Sequence, residues 1–151
     1  MEALITRLNT LVDDGATYIT SCGDDELTSR PKENKWSRKE ILGHLIDSAV
    51  NNLRRFTEIR FMDKPYKVTS YRQAELVRAN DYQHADVHHL LRAWTAINDQ
   101  IAYVIGTFSP EELRYEVIIG DDTHEDLEFL VIDYVDHLEH HMRQIFEVRS
   151  T

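Results

Sequence analysis

Cysteine and long apolar runs are scarce in this 151-residue sequence, and each scarcity excludes a class of protein. The single cysteine, Cys22, cannot form an internal disulfide and fits a reducing compartment as a buried filler residue. The apolar runs are only a few residues long, whereas a membrane-spanning helix needs about 20 residues. Residues 1–14 also lack the basic start and apolar middle of a secretory signal. We therefore expect a cytoplasmic protein that does not enter a membrane.

Positive charge is also scarce. The sequence has 17 Lys and Arg residues against 27 Asp and Glu residues, which gives a formal net charge of −10. Its densest basic stretch, residues 54–67, is interrupted by Glu58 and Asp63 and is typical of a solvated helix face. Because the phosphate backbone of a nucleic acid would be repelled by such a protein, we expect no nucleic-acid partner.

Four segments instead repeat apolar residues at spacings of three and four, the period of an amphipathic α-helix. The first runs from Leu4 to Cys22, and the second follows Ser37, which can form a capping box with Glu40, and extends to about Met62. The third is indicated by a longer apolar stripe: Val87, Leu90, Leu91, Trp94, Ile97, Ile101, Val104 and Phe108. The fourth is expected to start around residues 123–126. Its stripe consists of Leu127, Leu130, Val131, Tyr134, Leu138, Met142, Ile145 and Val148.

The connection between the second and third helices, residues 63–85, is too long for a compact domain unless it crosses the fold or covers a site. Within it, "YRQAELVRA" could form a short helix. After Pro110, "RYEVIIG" alternates like a strand, and one lone strand indicates only a hairpin or an extended arm. The pattern predicts an all-α protein, a four-helix bundle with a long crossover, forming a single domain over residues 1–151.

Three histidines distinguish the fourth segment. His137 and His141 are four residues apart, so about 40° separates them around a helix, and both lie in or beside its apolar stripe. His140 falls on the polar side. The pair can bind one metal ion, or the two can be ordinary hydrogen-bonded core residues. A catalytic zinc-type site also needs a third protein ligand.

A third ligand would have to come from His44, His84, His124 or the pair 88–89. His84 and His124 lie in predicted connections, and residues 88–89 begin the third helix, where a solvated end is expected. His44 lies on the second helix, well off its apolar stripe, on a face that also carries Asp47, Ser48, Asn51 and Arg55. That face is either exposed polar surface or the wall of a polar cavity, and periodicity does not decide between the two.

Two motifs carry a family resemblance. "KWSRKEILGHLIDSAVNNLRRF" (35–56) followed by "LEFLVIDYVDHLEHHMRQIF" (127–146) resembles the DinB/YfiT-like superfamily, and the region between them is similar as well. The resemblance implies a four-helix bundle with a three-histidine site for a divalent metal such as zinc or nickel. The ligands that it implies are His44, His137 and His141, with His140 outside the set and Trp36 as a packing anchor.

The resemblance also implies a range of functions. Some members transfer a low-molecular-weight thiol, others isomerise maleylpyruvate with mycothiol, and others are described as metal-dependent hydrolases. We therefore expect a metal-dependent enzyme acting on a small molecule, foremost a thiol S-transferase in which the metal activates the thiol. The alternatives are a hydrolase with the same ligands, in which the metal activates water, and a non-catalytic binding or stress-response bundle. The resemblance further implies a homodimer.

Residues that orient the ligands are expected beside them, because each metal-binding imidazole needs an acceptor for its other ring nitrogen. Asp47 and Ser48 near His44, and Asp133 near His137, are the candidates by helical position. The alternative is that these are solvated side chains on helix surfaces. The crossover departs from the acidic-tryptophan pair typical of close relatives, so substrate preference does not follow from the resemblance.

Overall fold

The computed structural model describes residues 1–147, so Val148 of the predicted fourth stripe lies outside the described residues. Four long helices make up most of the fold: α1 (Glu2–Ser21), α3 (Arg38–Glu58), α5 (Val87–Gly106) and α6 (Leu127–Glu147). Two short helices, α2 (Asp24–Thr28) and α4 (Gln73–Ala79), and two 3-10 turns, Tyr82–His84 and Glu112–Arg114, lie in the connections. Of the helices in this part of the chain, none is both long and apolar enough to cross a bilayer.

The four long helices form the predicted bundle. Helix α1 packs against α5 and α6, and α3 packs against the same two helices, so α1 and α3 lie at opposite corners. The predicted apolar stripes meet in the middle. The largest fully buried side chains there include Trp94 of α5, Phe56 and Leu42 of α3, and Leu138 of α6. Burying such side chains provides most of the stabilisation of a bundle of this size.

Close contact between helices requires a glycine on α1. A Cβ added to Gly15 would lie 2.6 Å from Cε of Met142 and 2.8 Å from Cη2 of Trp94. The absence of a side chain at this position therefore lets α1 approach both α5 and α6 closely.

The segments outside the bundle form a small sheet that the sequence only partly predicted. Strand β2 (Glu116–Ile119) pairs antiparallel with β3 (Thr123–Asp126) and parallel with β1 (Tyr66–Lys67) in the crossover. Of the hairpin and the extended arm that the alternation allowed, the hairpin forms, but the expected start of the fourth helix around 123–126 is wrong. Those residues pair with β2 across a turn at Gly120, whose φ of +64° suits glycine. The helix begins only at Leu127, where Asp126 Oδ1 accepts a hydrogen bond from the backbone N–H of Phe129 at 2.9 Å.

Helix α3 begins as predicted, with a complete capping box. The Ser37 hydroxyl accepts from the Glu40 backbone N–H, and the Glu40 carboxylate accepts from the Ser37 backbone N–H at 2.9 Å. Arg30 adds two further hydrogen bonds to the same carboxylate, at 2.6 and 2.8 Å. The helix ends at Glu58 rather than at Met62, because the backbone tightens into a turn over residues 59–62.

This capping box predicts an acid-sensitive contribution to stability. Burial raises the pKa of Glu40, but the hydrogen bonds from Arg30 and Ser37 outweigh burial and hold it below its ordinary value. The contribution is therefore present above the unfolded-state pKa and is lost as pH falls through the folded-state pKa. We expect Glu40→Gln to lower the free energy of unfolding by about 1–2 kcal/mol at neutral pH, with a smaller difference below about pH 4. Urea unfolding at both pH values measures this, with the exposed Glu33→Gln as the control. A difference that stays constant with pH would contradict it.

Candidate metal centre

Three imidazoles converge between α3 and α6. The Nε2 atoms of His44 and His137 are 3.2 Å apart, and one ring nitrogen from each of His44, His137 and His141 lies within 4.8 Å of the others. The ring centroids of the three pairs are separated by 4.5 to 5.1 Å. His44 is completely buried, and His137 and His141 are half-buried. The structure therefore brings together the three residues that the resemblance implied.

The position of His44 settles an alternative that periodicity left open. Every residue from Ser37 to Ala49 is buried, including His44, Asp47 and Ser48 of the polar face of α3. Helices α5 and α6 pack against α3, and so do α2, α4 and the Tyr82–His84 turn. Because α3 is surrounded, its polar face forms the wall of an internal site.

The donor set fits a divalent metal ion. Zinc binds imidazole nitrogens at about 2.0–2.1 Å, so two nitrogens in a tetrahedral site lie about 3.3–3.4 Å apart. The 3.2 Å separation of the His44 and His137 Nε2 atoms is close to this value. Burial, reinforced by the neighbouring histidines, lowers the pKa of His44 to about 3 and that of His137 to about 4. Burial lowers the pKa of His141 as well. At neutral pH all three rings are uncharged, which is the form that binds metals.

The second ring nitrogens of two of these histidines have acceptors. Gln144 Oε1 lies 2.9 Å from Nδ1 of His141, which leaves Nε2 as the ring nitrogen available to a metal ion. Ser48 Oγ lies 3.4 Å from Nδ1 of His137. The buried Nδ1 of His44 has no hydrogen-bond partner among residues 1–147. Acceptors of this kind fix the tautomer and orientation of a metal-binding imidazole.

Gln144 was missing from the sequence-based candidates. Its signal was its place in "HHMRQI", three residues after His141 and therefore on the same side of α6. The exposed His140 lies outside the cluster, as predicted, but it contacts Gln144: His140 Nε2 and Gln144 Nε2 are 3.0 Å apart. His140 thus holds the side chain that orients His141.

The predicted orienting residues take different places. Ser48 contacts His137 rather than His44. Asp47 Oδ1 accepts from the Tyr82 hydroxyl at 2.7 Å and from Asn80 Nδ2 at 3.1 Å, and this network ties α3 to the crossover. Asp133 is exposed and lines a cavity next to His137. Within the described residues, neither carboxylate hydrogen-bonds an imidazole of the cluster.

The remaining histidines lie elsewhere. His84 pairs with Asp81, and His124 pairs with Glu116 and Asp122. Those at 88–89 are exposed near the start of α5. These positions agree with the interpretation of the four as ordinary polar residues.

Two cavities border the histidine cluster. The larger, of about 580 Å³, is lined by His141, Gln144 and Trp36 together with Pro31, Lys32, Asn34 and Lys35. The smaller, of about 210 Å³, is lined by His137, residues of α3, and Ser70, Tyr71 and Gln73 of the crossover. The Trp36 ring lies 5.1 Å from that of His44, at an angle of 37°, and so forms a wall next to the site. The crossover therefore covers the site, one of the two explanations that its length allowed.

Comparison with known proteins identifies the family. The model of the DinB superfamily matches residues 8–145. The chain belongs to the DinB superfamily. The resemblance inferred from the two histidine motifs is thereby confirmed.

Two similar proteins are described as candidate metal-dependent hydrolases. A candidate metal-dependent hydrolase of Halalkalibacterium halodurans is 23% identical over 145 residues, which are 96% of this chain and 84% of the relative. The solved structure of YfiT from Bacillus subtilis, described as a candidate metal-dependent hydrolase with an unusual four-helix bundle topology, superimposes with a TM-score of 0.87 at 20% identity. That superposition covers 97% of this chain and 83% of YfiT.

A second solved structure is larger. The mycothiol-dependent maleylpyruvate isomerase superimposes with a TM-score of 0.76 at 11% identity, over 99% of this chain and 62% of the isomerase. The DinB-type bundle of this chain therefore corresponds to less than two thirds of that enzyme. The family and the three-histidine group together fit a metal-dependent enzyme of the DinB type.

Proposed function

We propose that this protein is a metal-dependent S-transferase that uses a low-molecular-weight thiol. His44, His137 and His141 hold a divalent ion, zinc or nickel, and a small electrophilic molecule receives the thiol. The bond between sulfur and the acceptor carbon forms as the bond from that carbon to its leaving group breaks. The thiol proton leaves with the departing group.

The observation that carries this proposal is the pair of cavities beside the cluster. His141 faces the larger cavity and His137 the smaller one, so the centre is accessible from two sides. Such an arrangement suits a reaction between two substrates. The larger space suits an extended thiol, whereas the smaller one lies below the roughly 300–1,000 Å³ of pockets for drug-sized ligands and suits a compact acceptor.

The residues of the chain hold and isolate the reacting groups. Three neutral imidazoles leave the charge of a bound cation uncompensated, and such an ion lowers the pKa of a thiol or of water that shares the site. Gln144 fixes the His141 ring, and Ser48 lies beside Nδ1 of His137. The Trp36 ring covers His44, which limits the access of water.

A second candidate function, hydrolysis with the same ligands, is favoured by the descriptions of the Halalkalibacterium relative and of YfiT. In that reaction water would take the place of the thiol. The buried site and the uncharged histidines serve both reactions equally well, and the two cavities favour the transferase.

Elemental analysis of protein purified without a histidine tag is the first test. We expect about one zinc or nickel ion per chain, because residues 1–147 contain one such three-histidine group. No metal after supplementation, with melting unchanged by a chelator, would leave the non-catalytic bundle as the explanation. For the metal-loaded protein, a panel of thiols with a chromogenic electrophile separates the two reactions. Metal-dependent loss of free thiol supports the transferase, and ester or amide hydrolysis without thiol supports the hydrolase.

Gln144 provides a further prediction. Gln144→Leu keeps most of the side-chain volume but removes the acceptor for His141 Nδ1. We expect metal affinity to fall about 10–100-fold, the usual loss when the partner of a metal-binding histidine is removed. Competition with a chromogenic chelator measures this affinity. Gln100→Leu, at an exposed position on α5, is the matched control. Equal affinities for the two variants would contradict the assigned role.

A further inference from the structure

The smaller cavity contains a cation with an unusual environment. Arg55 lines the cavity together with His137, Asn52, Tyr71 and Asp133. Among the described residues that line it, Arg55 is the one side chain with a permanent positive charge. Eleven residues separate Arg55 from His44, a rotation of about 20° around the helix, so both lie on the same face of α3.

The partners of Arg55 are all uncharged. Its guanidinium donates to the Thr69 carbonyl oxygen at 2.7 Å and to Asn52 Oδ1 at 3.3 Å, and it lies 5.7 Å from the centroid of the Tyr71 ring. Within residues 1–147, no carboxylate forms an ion pair with it at 4.0 Å or less, Asp133 included. These contacts therefore fix the side chain without an ion pair, and Asp133 acts on its charge only from beyond ion-pair distance.

The Arg55 side chain is half-buried, and burial lowers the pKa of the guanidinium from its ordinary value. Asp133 in the same cavity raises the pKa of Arg55 through its charge, but among residues 1–147 no carboxylate in direct contact compensates for burial. Partly buried charges in proteins are normally paired, because the loss of hydration is otherwise not compensated. A rigid, unpaired arginine in a small cavity next to three histidines is thus arranged to receive an anion.

We propose that Arg55 binds the carboxylate of the small acceptor substrate in the cavity next to His137. A guanidinium matches a carboxylate in both charge and shape. A phosphate would bring a second negative charge close to Asp133, so the single cation favours a monoanionic carboxylate. The inference rests on the proposed function for the role of the site and adds the chemical class of the acceptor.

Binding of propionate tests this inference without any activity assay. Propionate and its uncharged analogue propionamide are titrated into chelator-treated protein, and binding is followed by NMR chemical shifts. We expect propionate to bind at least about tenfold more tightly than propionamide, and Arg55→Gln to weaken it by a similar factor, because a charge-assisted pair is lost. Arg55→Lys should restore part of the affinity. Arg92→Gln, at an exposed position on α5, makes the same change in charge and should bind like the wild type.

Several results would overturn the inference. For the wild type, these are equal binding of propionate and propionamide, or no binding of propionate at up to about 0.1 M. Tighter binding of methyl phosphate than of propionate would also overturn it. So would propionate binding by Arg55→Gln that equals binding by the wild type. Propionate that binds only after zinc is added would bind at the histidines and would also overturn it. The comparison of the two ligands on the wild type holds even if an Arg55 variant does not fold. Metal content is measured separately, so failure here differs from failure of the proposed metal centre.

Discussion

Replacing His44 by alanine is expected to abolish tight metal binding. His44 is the one member of the cluster contributed by α3, and two histidines on α6 cannot complete a three-ligand site. We expect metal affinity to fall by more than about a hundredfold, beyond the loss that follows removal of an orienting partner. A tightly bound ion stabilises the folded state by about 4 kcal/mol at a thousand times its dissociation constant. Chelation should therefore lower the melting temperature of the wild-type protein by about 10 °C and leave that of His44→Ala nearly unchanged.

The control for this prediction is His89→Ala, which removes an exposed histidine outside the cluster. It should keep both the bound metal and the sensitivity to chelator. His137→Ala and His141→Ala should behave like His44→Ala, since each removes one of the three imidazoles. Full metal content in His44→Ala would show that the ion binds elsewhere.

The sequence alone identified the α6 pair but not its partner. Spacing placed His137 and His141 on one face, because both lie on a single regular helix. His44 lies on a polar face of α3, and this face is covered by the His137 and His141 rings of α6, which is distant in sequence, and by Trp36. Helical periodicity contains no information about such coverage, so only the family motif pointed to His44.

The lack of long-range information in local sequence patterns also explains the other differences between the predictions and the structure. Residues 123–126 were expected to begin a helix, because acidic residues suit a helix start, but pairing with β2 determines their conformation. Asp47 is near His44 in sequence, yet Tyr82 and Asn80 of the crossover bind its carboxylate. The cavity at Arg55 likewise depends on Ser70, Tyr71 and Gln73 of the crossover. Local patterns thus predicted the helices and the α6 pair, whereas the surroundings of the site depend on how the crossover folds back.

Replacing Gly43 by alanine is expected to destabilise the protein strongly, although alanine favours helices. A Cβ at Gly43 would overlap the Tyr82 ring, whose hydroxyl donates to the buried carboxylate of Asp47. Either the crossover shifts away from α3 or Tyr82 loses this hydrogen bond. Overpacking and an unsatisfied buried acceptor together should cost about 2–4 kcal/mol of unfolding free energy. Urea unfolding in the presence of a chelator measures the cost without any contribution from metal.

Gly106→Ala is the matched control, because it makes the same substitution in a helix with room for it. The nearest atom to an added Cβ there is Cδ1 of Ile5 at 3.6 Å, an ordinary contact, so helix propensity should stabilise this variant by up to about 1 kcal/mol. Tyr82→Phe separates the two causes at Gly43, since it keeps the ring and removes the hydrogen bond to Asp47. A Gly43→Ala protein as stable as the wild type would mean that the crossover can move away from α3 at no cost. The wall of the smaller cavity would then be adjustable, and the position of an acceptor beside Arg55 would not be fixed by the fold.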